Sequence, residues 1–340
     1  MNLEGKIALI TGGSRGLGRE MAVAFAEAGI SAITLTAAAA ADEDKLLIDA
    51  ELQETKALVE KLGSTAHCVV ADVTSEKDCL KSVSETIDKF GHLHILVNNA
   101  GKAGRYVHHG DGSLNLWDVD PKGFRDVIDT NVLGPFLMMH AAGKFISKEG
   151  WGRIINISKR TDSMHRKAIT PYGPSKAALD AATIAWAEWL YDTGITVNTL
   201  SPGGAVDTKF GTGKIEGRGL DPKVIKKPSV WLASPASDGI TGCRYVAERW
   251  DESLTPDQAA EGCREPVIFT TPATQASSAG LVTYANSITL TPGTVTIEVE
   301  GADGAAPHFL VHALDPSFAA DVESGVMDRR VTALEGGGGQ

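Results

Sequence analysis

Several features that mark other classes of protein are scarce in this chain of 340 residues. Its four cysteines, at positions 68, 79, 243 and 263, show no Cys-x-x-Cys motif and no metal-site spacing, so we predict reduced, structural cysteines and no metal. No apolar run approaches the roughly 18 residues that a membrane-spanning helix needs. The first residues lack the apolar core of a signal peptide. We therefore expect a soluble, cytoplasmic protein without a membrane span.

Basic residues are also fewer than acidic ones in this chain. The chain has 32 Lys and Arg against 43 Asp and Glu, which gives a net charge of −11 at pH 7. Because a polyanion would be repelled, this balance argues against nucleic acid or an acidic membrane surface as a general partner. A hydrophobic content of 43% and a charged content of 22% are those of an ordinary globular protein. The length suits one large domain with an appendage.

Short apolar runs alternate with helical patterns along the first 200 residues. The runs fall at 7–10, 32–36, 68–70, 94–97, 154–157 and 195–200, and polar residues or glycines follow most of them. This alternation predicts an α/β fold, a Rossmann-like doubly wound parallel sheet with helices on both faces. In such sheets the ligand lies beyond the carboxyl ends of the strands. We expect the functional site there.

The first strand runs into a glycine-rich turn, residues 11–18, that opens a helix. Backbone N–H groups and the helix dipole at such a turn can bind a pyrophosphate. The spacing Gly-x-x-x-Gly-x-Gly differs from the commoner dinucleotide fingerprint. The second strand ends at Thr36 and is followed by five alanines instead of the acid that binds the ribose of NAD. Arg15 either pairs with a 2′-phosphate or is a plain surface charge, so we favour NADP(H), with NAD(H) as the alternative.

A tyrosine and a lysine, Tyr172 and Lys176, stand four residues apart where an alanine- and leucine-rich helix begins. That spacing puts both side chains on one helical face. A cation beside a phenol lowers the pKa of the hydroxyl and makes it usable as an acid or base. The spacing alone is common on solvated helices, but its place among the strand ends favours a catalytic role.

Taken together, these motifs resemble the short-chain dehydrogenase/reductase family over residues 1 to about 255. The matching features are Thr11–Gly18, Asp72-Val73, Asn98–Gly101, Asn131, Ser158, Tyr172 with Lys176, and Pro202-Gly203 with Thr208. The resemblance implies an NAD(P)-dependent oxidoreductase that transfers a hydride between a nicotinamide and a carbonyl or secondary alcohol.

The resemblance also implies a role for each matched residue. Tyr172 would protonate the carbonyl oxygen, Lys176 would lower its pKa and bind the nicotinamide ribose, and Asn131 would hold a water of the proton relay. Ser158 would polarise the carbonyl. The implied cofactor-binding residues are Gly12, Ser14, Arg15, Gly16, Leu17, Gly18, Thr36, Asp72, Val73, Asn99, Ala100, Gly101, Tyr172, Lys176, Pro202, Gly203 and Thr208.

The chain departs from the family at the catalytic serine. The family's serine position falls on Lys159, with Ser158 before it and Ser163 further on, and we assign the role to Ser158. Lys159 and Arg160 place two cations beside the predicted pocket, where they either bind an anionic substrate or face solvent. The segment 102–124, which holds His108 and His109, and the glycine-rich stretch 207–220 are expected to form loops on the substrate side.

The nearest analogy within the family is to 3-oxoacyl-acyl-carrier-protein reductases, which rests on fold alone. The resemblance suggests a homodimer or homotetramer formed through the helices that follow Asn131 and Tyr172. Two other functions remain open. One is an NAD-dependent alcohol or hydroxysteroid-type dehydrogenase, and the other is a non-catalytic nucleotide-binding subunit.

The composition changes after about residue 262. We predict a main domain over 1–262, a linker over 263–280, a small appendage over 281–335 and a disordered tail over 336–340. The appendage is expected to be a β-meander with strands at 282–290, 294–299 and 309–313, followed by a helix. Residues 285–294 and 311–314 resemble the soluble tail of the E subunit of multisubunit sodium/proton antiporters. A non-catalytic subunit would dock a membrane complex through this tail.

Overall fold

The computed structural model describes residues 1–39, 42–103, 115–166, 169–208, 210, 219–265, 267–290, 294–300, 307–313, 319 and 322–336. The chain divides into two compact units, Met1–Cys263 and Arg264–Gln340. His108, His109, most of the predicted loop 207–220 and most of the predicted tail lie outside the described residues. Among the helices that are described, none is both long and apolar enough to cross a membrane.

The first unit is built on a sheet of seven parallel strands in the order β3-β2-β1-β4-β5-β6-β7. The strands are β1 (Ile7–Thr11), β2 (Ala32–Ala37), β3 (Thr65–Val70), β4 (Ile95–Asn98), β5 (Gly152–Ile157), β6 (Ile195–Ser201) and β7 (Arg244–Val246). Because β1 pairs with both β2 and β4, the strand order reverses there. A ligand crevice forms at such a reversal. The predicted doubly wound sheet is confirmed.

Helices cover both faces of this sheet. They are α1 (Gly16–Glu27), α2 (Lys45–Lys61), α3 (Glu76–Phe90), α4 (Pro121–Ile128), α5 (Gly134–Lys148), α6 (Tyr172–Trp189), α7 (Lys226–Ala233) and α8 (Pro256–Cys263). Successive side chains of β1 point to opposite faces, so Leu9 and Ile10 enter two separate apolar cores. Ile10 packs in the core that holds Phe25 of α1, and Leu9 in the core that holds Met138 of α5. Because the sheet is packed against a core on each face, its strand ends are held in fixed positions.

The second unit is a three-stranded antiparallel sheet with helices. Its strands are β8 (Val267–Pro272), β9 (Thr294–Glu300) and β10 (His308–Ala313), in the order β8-β10-β9, and its helices are α9 (Ser278–Leu290) and α10 (Val326–Gly336). Tyr284 and Ile288 of α9 pack against Phe309 and Val311 of β10 in its core. The predicted small sheet with a C-terminal helix is confirmed.

Two details of that prediction are wrong. Residues 282–290, expected to form a strand, lie in α9, because Gly280, Tyr284 and Ile288 are buried at a spacing of four, which is a helical period. The third strand is β8, inside the interval 263–280 that was predicted to be a linker. Its sequence Val-Ile-Phe-Thr-Thr-Pro is rich in β-branched residues, which favour strands.

Candidate active site

The glycine-rich turn leads directly from β1 into α1. Gly12 has a φ of +65°, and a Cβ on Gly18 would lie 2.2 Å from the carbonyl oxygen of Gly12. Both positions therefore need glycine. No side chain caps the start of α1, and its first turn holds no acidic residue. The free N–H groups and the positive end of the dipole suit an anionic ligand such as a pyrophosphate.

The turn is held against the ends of two other strands. Gly13 N donates to the Thr36 carbonyl at the end of β2, 2.9 Å away. Asn99 Nδ2, after β4, donates to the carbonyl oxygens of Thr11 and Gly12 at 2.8 and 3.0 Å. The structure thus brings together the predicted residues from β1, β2 and β4.

Arg15, the predicted partner of a 2′-phosphate, has an acidic neighbour. Its Nη1 lies 3.2 Å from Glu51 Oε1 of α2, and Ser14 Oγ donates to the other oxygen of Glu51 at 3.4 Å. The Arg15 side chain is 41% exposed. An ion pair with a half-exposed guanidinium is worth only about 0–1 kcal/mol, so a bound phosphate can compete for Arg15.

Tyr172 is the first residue of α6, as predicted, and Lys176 lies one turn later. Burial raises the pKa of Tyr172 to about 12. Burial also lowers the pKa of Lys176 to about 8, although Asp180 acts in the opposite direction. Lys176 Nζ donates to the Ile157 carbonyl at 2.7 Å. The predicted lowering of the tyrosine pKa is wrong for this arrangement, because the loss of hydration of the phenol dominates.

Asn131 lies in a π-helical turn, Asp129–Leu133, between α4 and α5. It is fully buried, and its amide exchanges hydrogen bonds with the backbone of Lys102 at 2.8 and 2.9 Å. Its Nδ2 also donates to Ser175 Oγ, which donates to the Tyr172 carbonyl. Single π turns inside helices often occur at functional sites. A Cβ on Gly101 would lie 3.1 Å from Asn131 Oδ1 and 3.8 Å from Lys176 Nζ, so these residues meet at one place.

The other predicted cofactor residues lie at strand ends. Asp72, after β3, accepts hydrogen bonds from the N–H and hydroxyl of Thr74. The Pro202 carbonyl, after β6, accepts from the Glu248 N–H. Thr208 lies beside the glycine turn, since a Cβ on Gly16 would be 3.2 Å from Thr208 Cγ2. The cofactor-contact roles of all the predicted residues stay predictions, those of Leu17, Val73, Ala100 and Gly203 among them.

Ser158 lies directly after β5 and is buried, with 3% of its surface exposed. Its hydroxyl is near enough to the Asp180 carboxylate to lower that group's pKa, although no hydrogen bond of good geometry joins them. Asp180 of α6 forms an ion pair with Arg244 of β7. Asp180 was not among the predicted site residues. Its position, four residues after Lys176 on the same helical face, was the available signal.

Lys159 follows Ser158, but its side chain lies beside different residues. Its Nζ lies 5.8 Å from the centroid of the Tyr172 ring and donates to the Ser163 carbonyl at 2.8 Å. Arg160 instead binds the Asp162 carboxylate through two nitrogens, each at 3.1 Å. Phe210 packs on the Tyr172 ring with centroids 6.0 Å apart.

One group of side chains within the described residues could be mistaken for a metal site. Candidate ligand atoms of His92, His94 and Glu149 lie within 4.8 Å of one another, at the amino end of β4. His94 Nδ1 accepts the Ile7 N–H at 3.1 Å, and burial lowers its pKa. A metal-binding histidine normally donates its second ring N–H. Here the second nitrogen accepts, so Nε2 carries the proton and faces Glu149, which favours hydrogen bonding over metal binding.

With this geometry in place, known proteins show which family the site belongs to. The family model of the short chain dehydrogenases matches residues 6–218. The 3-oxoacyl-[acyl-carrier-protein] reductase of Vibrio harveyi is 31% identical over 71% of this chain and 95% of its own length. The chain belongs to the short-chain dehydrogenase family and is an oxidoreductase with an NAD(P)-binding Rossmann fold.

Solved structures agree with this assignment. The 3-ketoacyl-(acyl-carrier-protein) reductase of Brucella melitensis, complexed with NADH, has a TM-score of 0.60 and 28% identity over 72% of this chain and 96% of its own. A blue fluorescent protein from a metagenomic library, complexed with NADPH, has a TM-score of 0.60 and 30% identity over the same shares. A second family model, of a Na+/H+ ion antiporter subunit, matches residues 257–334. The predicted resemblance of the C-terminal segment is confirmed.

Proposed function

We propose that this chain is an NADP(H)-dependent carbonyl reductase that uses Tyr172 as its general acid and, in reverse, as its general base. The observation that supports this most is the meeting of Tyr172, Lys176 and Asn131 next to the glycine-rich turn. Lys176 and Asn131 meet beside Gly101, shortly after β4, which pairs with β1 where the strand order reverses and a dinucleotide binds in such folds. When bound, the cofactor supplies the hydride.

The state of Tyr172 favours the direction of reduction. Because its pKa is raised to about 12, the hydroxyl stays protonated at neutral pH and can donate to a carbonyl oxygen. An alkoxide is a stronger base than a phenolate, so proton transfer to the developing alkoxide is favourable. Asn131 fixes the start of α6 through Ser175 and thereby orients the tyrosine. Lys176, whose pKa is about 8, remains mostly charged at neutral pH and is the candidate for the nicotinamide ribose.

The preference for NADP(H) rests on the end of β2 and on Arg15. The described residues Thr36–Ala39 contain no acid that would repel a 2′-phosphate. Arg15 is half-exposed beside the turn and pairs only weakly with Glu51. Glu51 itself favours the alternative, an NAD-dependent alcohol or hydroxysteroid-type dehydrogenase, because it partly neutralises Arg15. Fluorescence titrations with NADPH and NADH distinguish the two, and tighter binding of NADH would reject our choice.

The test of the reaction is an NADPH-oxidation screen over 3-oxoacyl thioesters, quinones and keto sugars. Tyr172→Phe removes the proton donor, and we expect it to lower turnover about 10²- to 10⁴-fold while NADPH binding is retained. Tyr191→Phe is the matched control, because Tyr191 is 70% exposed and lies just beyond the far end of α6. Full activity of Tyr172→Phe would reject the mechanism.

A second function is favoured by the match of residues 257–334 to an antiporter subunit. The chain would then be a nucleotide-binding subunit that docks a membrane complex through its C-terminal unit. Partner binding without hydride transfer to any ketone would support it.

For the enzyme we propose a cytoplasmic homodimer or homotetramer formed through α5 and α6, which expose Phe136 and Ile184. Analytical ultracentrifugation measures that state.

A further inference from the structure

Two adjacent residues at the end of β5, Ser158 and Lys159, have side chains in different places. We propose that Lys159, rather than Ser158, donates the hydrogen bond that polarises the substrate carbonyl. This inference rests on the proposed reductase function and names a catalytic residue for it.

Ser158 lies too deep in the fold to share a substrate atom with Tyr172. Asn156 and Ser158 face α6, because Asn156 Nδ2 donates to Thr183 Oγ1 at 2.8 Å and side chains two residues apart share a face of a strand. At its level on α6, Ser158 faces Asp180. Asp180 is eight residues after Tyr172, which is about 12 Å along a helix. The buried serine hydroxyl therefore lies about two turns below the start of α6.

Lys159 lies at the level of Tyr172 itself. Its Nζ is 5.8 Å from the ring centroid, close enough for a cation–π contact. A hydrogen bond holds the backbone of Lys159 in place, because Arg244 Nη2 donates to its carbonyl at 2.9 Å. Arg244 is itself paired with Asp180. The flexible stem of a lysine lets Nζ move within the site while the backbone stays in place.

The ammonium of Lys159 has N–H donors that make no hydrogen bond to the described residues. It carries three N–H bonds, and in the described part of the chain its one hydrogen bond goes to the Ser163 carbonyl. No carboxylate among the described residues lies within 4 Å of Nζ, whereas Arg160 and Arg166 both pair with Asp162. Burial lowers the pKa of Lys159 and Arg166 adds to this effect, whereas Asp162 partly opposes it. A cation that is short of hydration, and that has no described carboxylate within ion-pair distance, gains from a developing negative charge nearby.

The chemistry of the reduction matches this placement. As the carbonyl carbon receives a hydride from the bound cofactor, negative charge grows on the oxygen, and Tyr172 delivers the proton to it. A charged donor stabilises such an oxygen more than a neutral hydroxyl does. Lys159 transfers no proton in this step and only donates a hydrogen bond to the carbonyl oxygen.

The experiment compares Lys159→Met, Lys159→Ser and Ser158→Ala in the full-length protein with the best ketone of the screen. Removing one oxyanion donor costs about 10²- to 10³-fold in kcat, which we expect for Lys159→Met. Lys159→Ser restores a neutral donor and should recover part of that loss. Ser158→Ala should stay within a few fold of wild type. Lys122→Met, at a lysine that is 86% exposed, is the control.

Three measurements besides turnover complete the test, two on Lys159→Met and one on the wild type. Thermal unfolding and NADPH affinity should be unchanged in Lys159→Met, which excludes misfolding and loss of the cofactor. Trace acetylation should label Lys159 less when NADP+ and the alcohol product are bound. Near wild-type kcat in Lys159→Met, together with a large loss in Ser158→Ala, overturns the inference while Tyr172→Phe still tests the reductase. A wild type that reduces no ketone overturns both proposals.

Discussion

Two aspartates that are mostly shielded from solvent, one in each unit of the chain, are held in opposite ways. Asp328 of α10 accepts hydrogen bonds from the N–H and hydroxyl of Thr274 at 3.0 and 2.7 Å and from Gln275 Nε2 at 2.9 Å. Burial raises the pKa of Asp328, but these hydrogen bonds, with a smaller contribution from Arg329, outweigh it, so the pKa lies below its usual value. Every described partner of this carboxylate within hydrogen-bond distance is neutral.

Asp180 lies among charges instead. It pairs with Arg244, lies near Lys176 and Ser158, and has one carboxylate oxygen without a hydrogen bond. Burial raises its pKa beyond what Arg244 and the neighbouring hydroxyls offset. The difference shows what each aspartate does. Asp328 ties α10 to the segment after β8, whereas Asp180 supports the residues directly below the candidate active site.

The largest effect is expected from removing the Asp180 carboxylate, which tests whether this residue supports the site. Asp180→Ala leaves the buried Lys176 and the largely buried Arg244 without their carboxylate, and loss of one partner costs about 3–5 kcal/mol when the pair is fully buried. We expect a large fall in the urea midpoint and, because Arg244 holds the Lys159 backbone, a loss of turnover. Asp180→Asn keeps the shape and separates charge from packing. An unchanged midpoint in both variants would show that Asp180 is not a support.

A smaller effect is expected from Asp328→Ala. Hydrogen bonds to a charged group are worth about 1.5–3 kcal/mol, and their loss should destabilise the second unit alone. Hydrogen exchange of α10 and β10 should speed up, while kcat on the best ketone stays at the wild-type value. Glu323→Ala is the control, because it removes an exposed carboxylate five residues before Asp328. Lost turnover in Asp328→Ala would contradict the division of roles.

The fold of the first unit could be predicted because its signals are local. Each strand is a short apolar run that ends in a polar or glycine-rich turn, and β1 with its turn and α1 shows this best. The second unit was harder, because α9 and β8 are both rich in small and β-branched residues. Only tertiary packing, the burial of Gly280, Tyr284 and Ile288 on one side, distinguishes the helix.

The placement of Tyr172 and Lys176 could be predicted from the sequence, but the electrostatics around them could not. Spacing placed Tyr172 and Lys176 on one helical turn, and the structure agrees. It could not show that burial would raise the pKa of Tyr172, because burial depends on residues distant in sequence such as Phe210. Nor could it show that Ser158 faces Asp180, since that depends on the depth of α6 against β5.

The two aspartates should also respond oppositely to acid, with the smallest effect of the three. The pKa of Asp328 lies below its ordinary value of 3.8, so its contribution is present above that pH and is lost as pH falls through the folded pKa. The pKa of Asp180 lies above 3.8, so the folded chain binds the proton more tightly, and its contribution is present below pH 3.8 and lost as pH rises through the folded pKa. Between the two pKa values of Asp180, folded and unfolded, acidification should therefore raise the stability of wild type relative to Asp180→Asn. The same acidification should leave wild type and Asp328→Asn at a constant difference until the pH falls below 3.8. Unfolding free energies of the three proteins across this range measure both slopes, and slopes of the same sign would show that the two carboxylates are held alike.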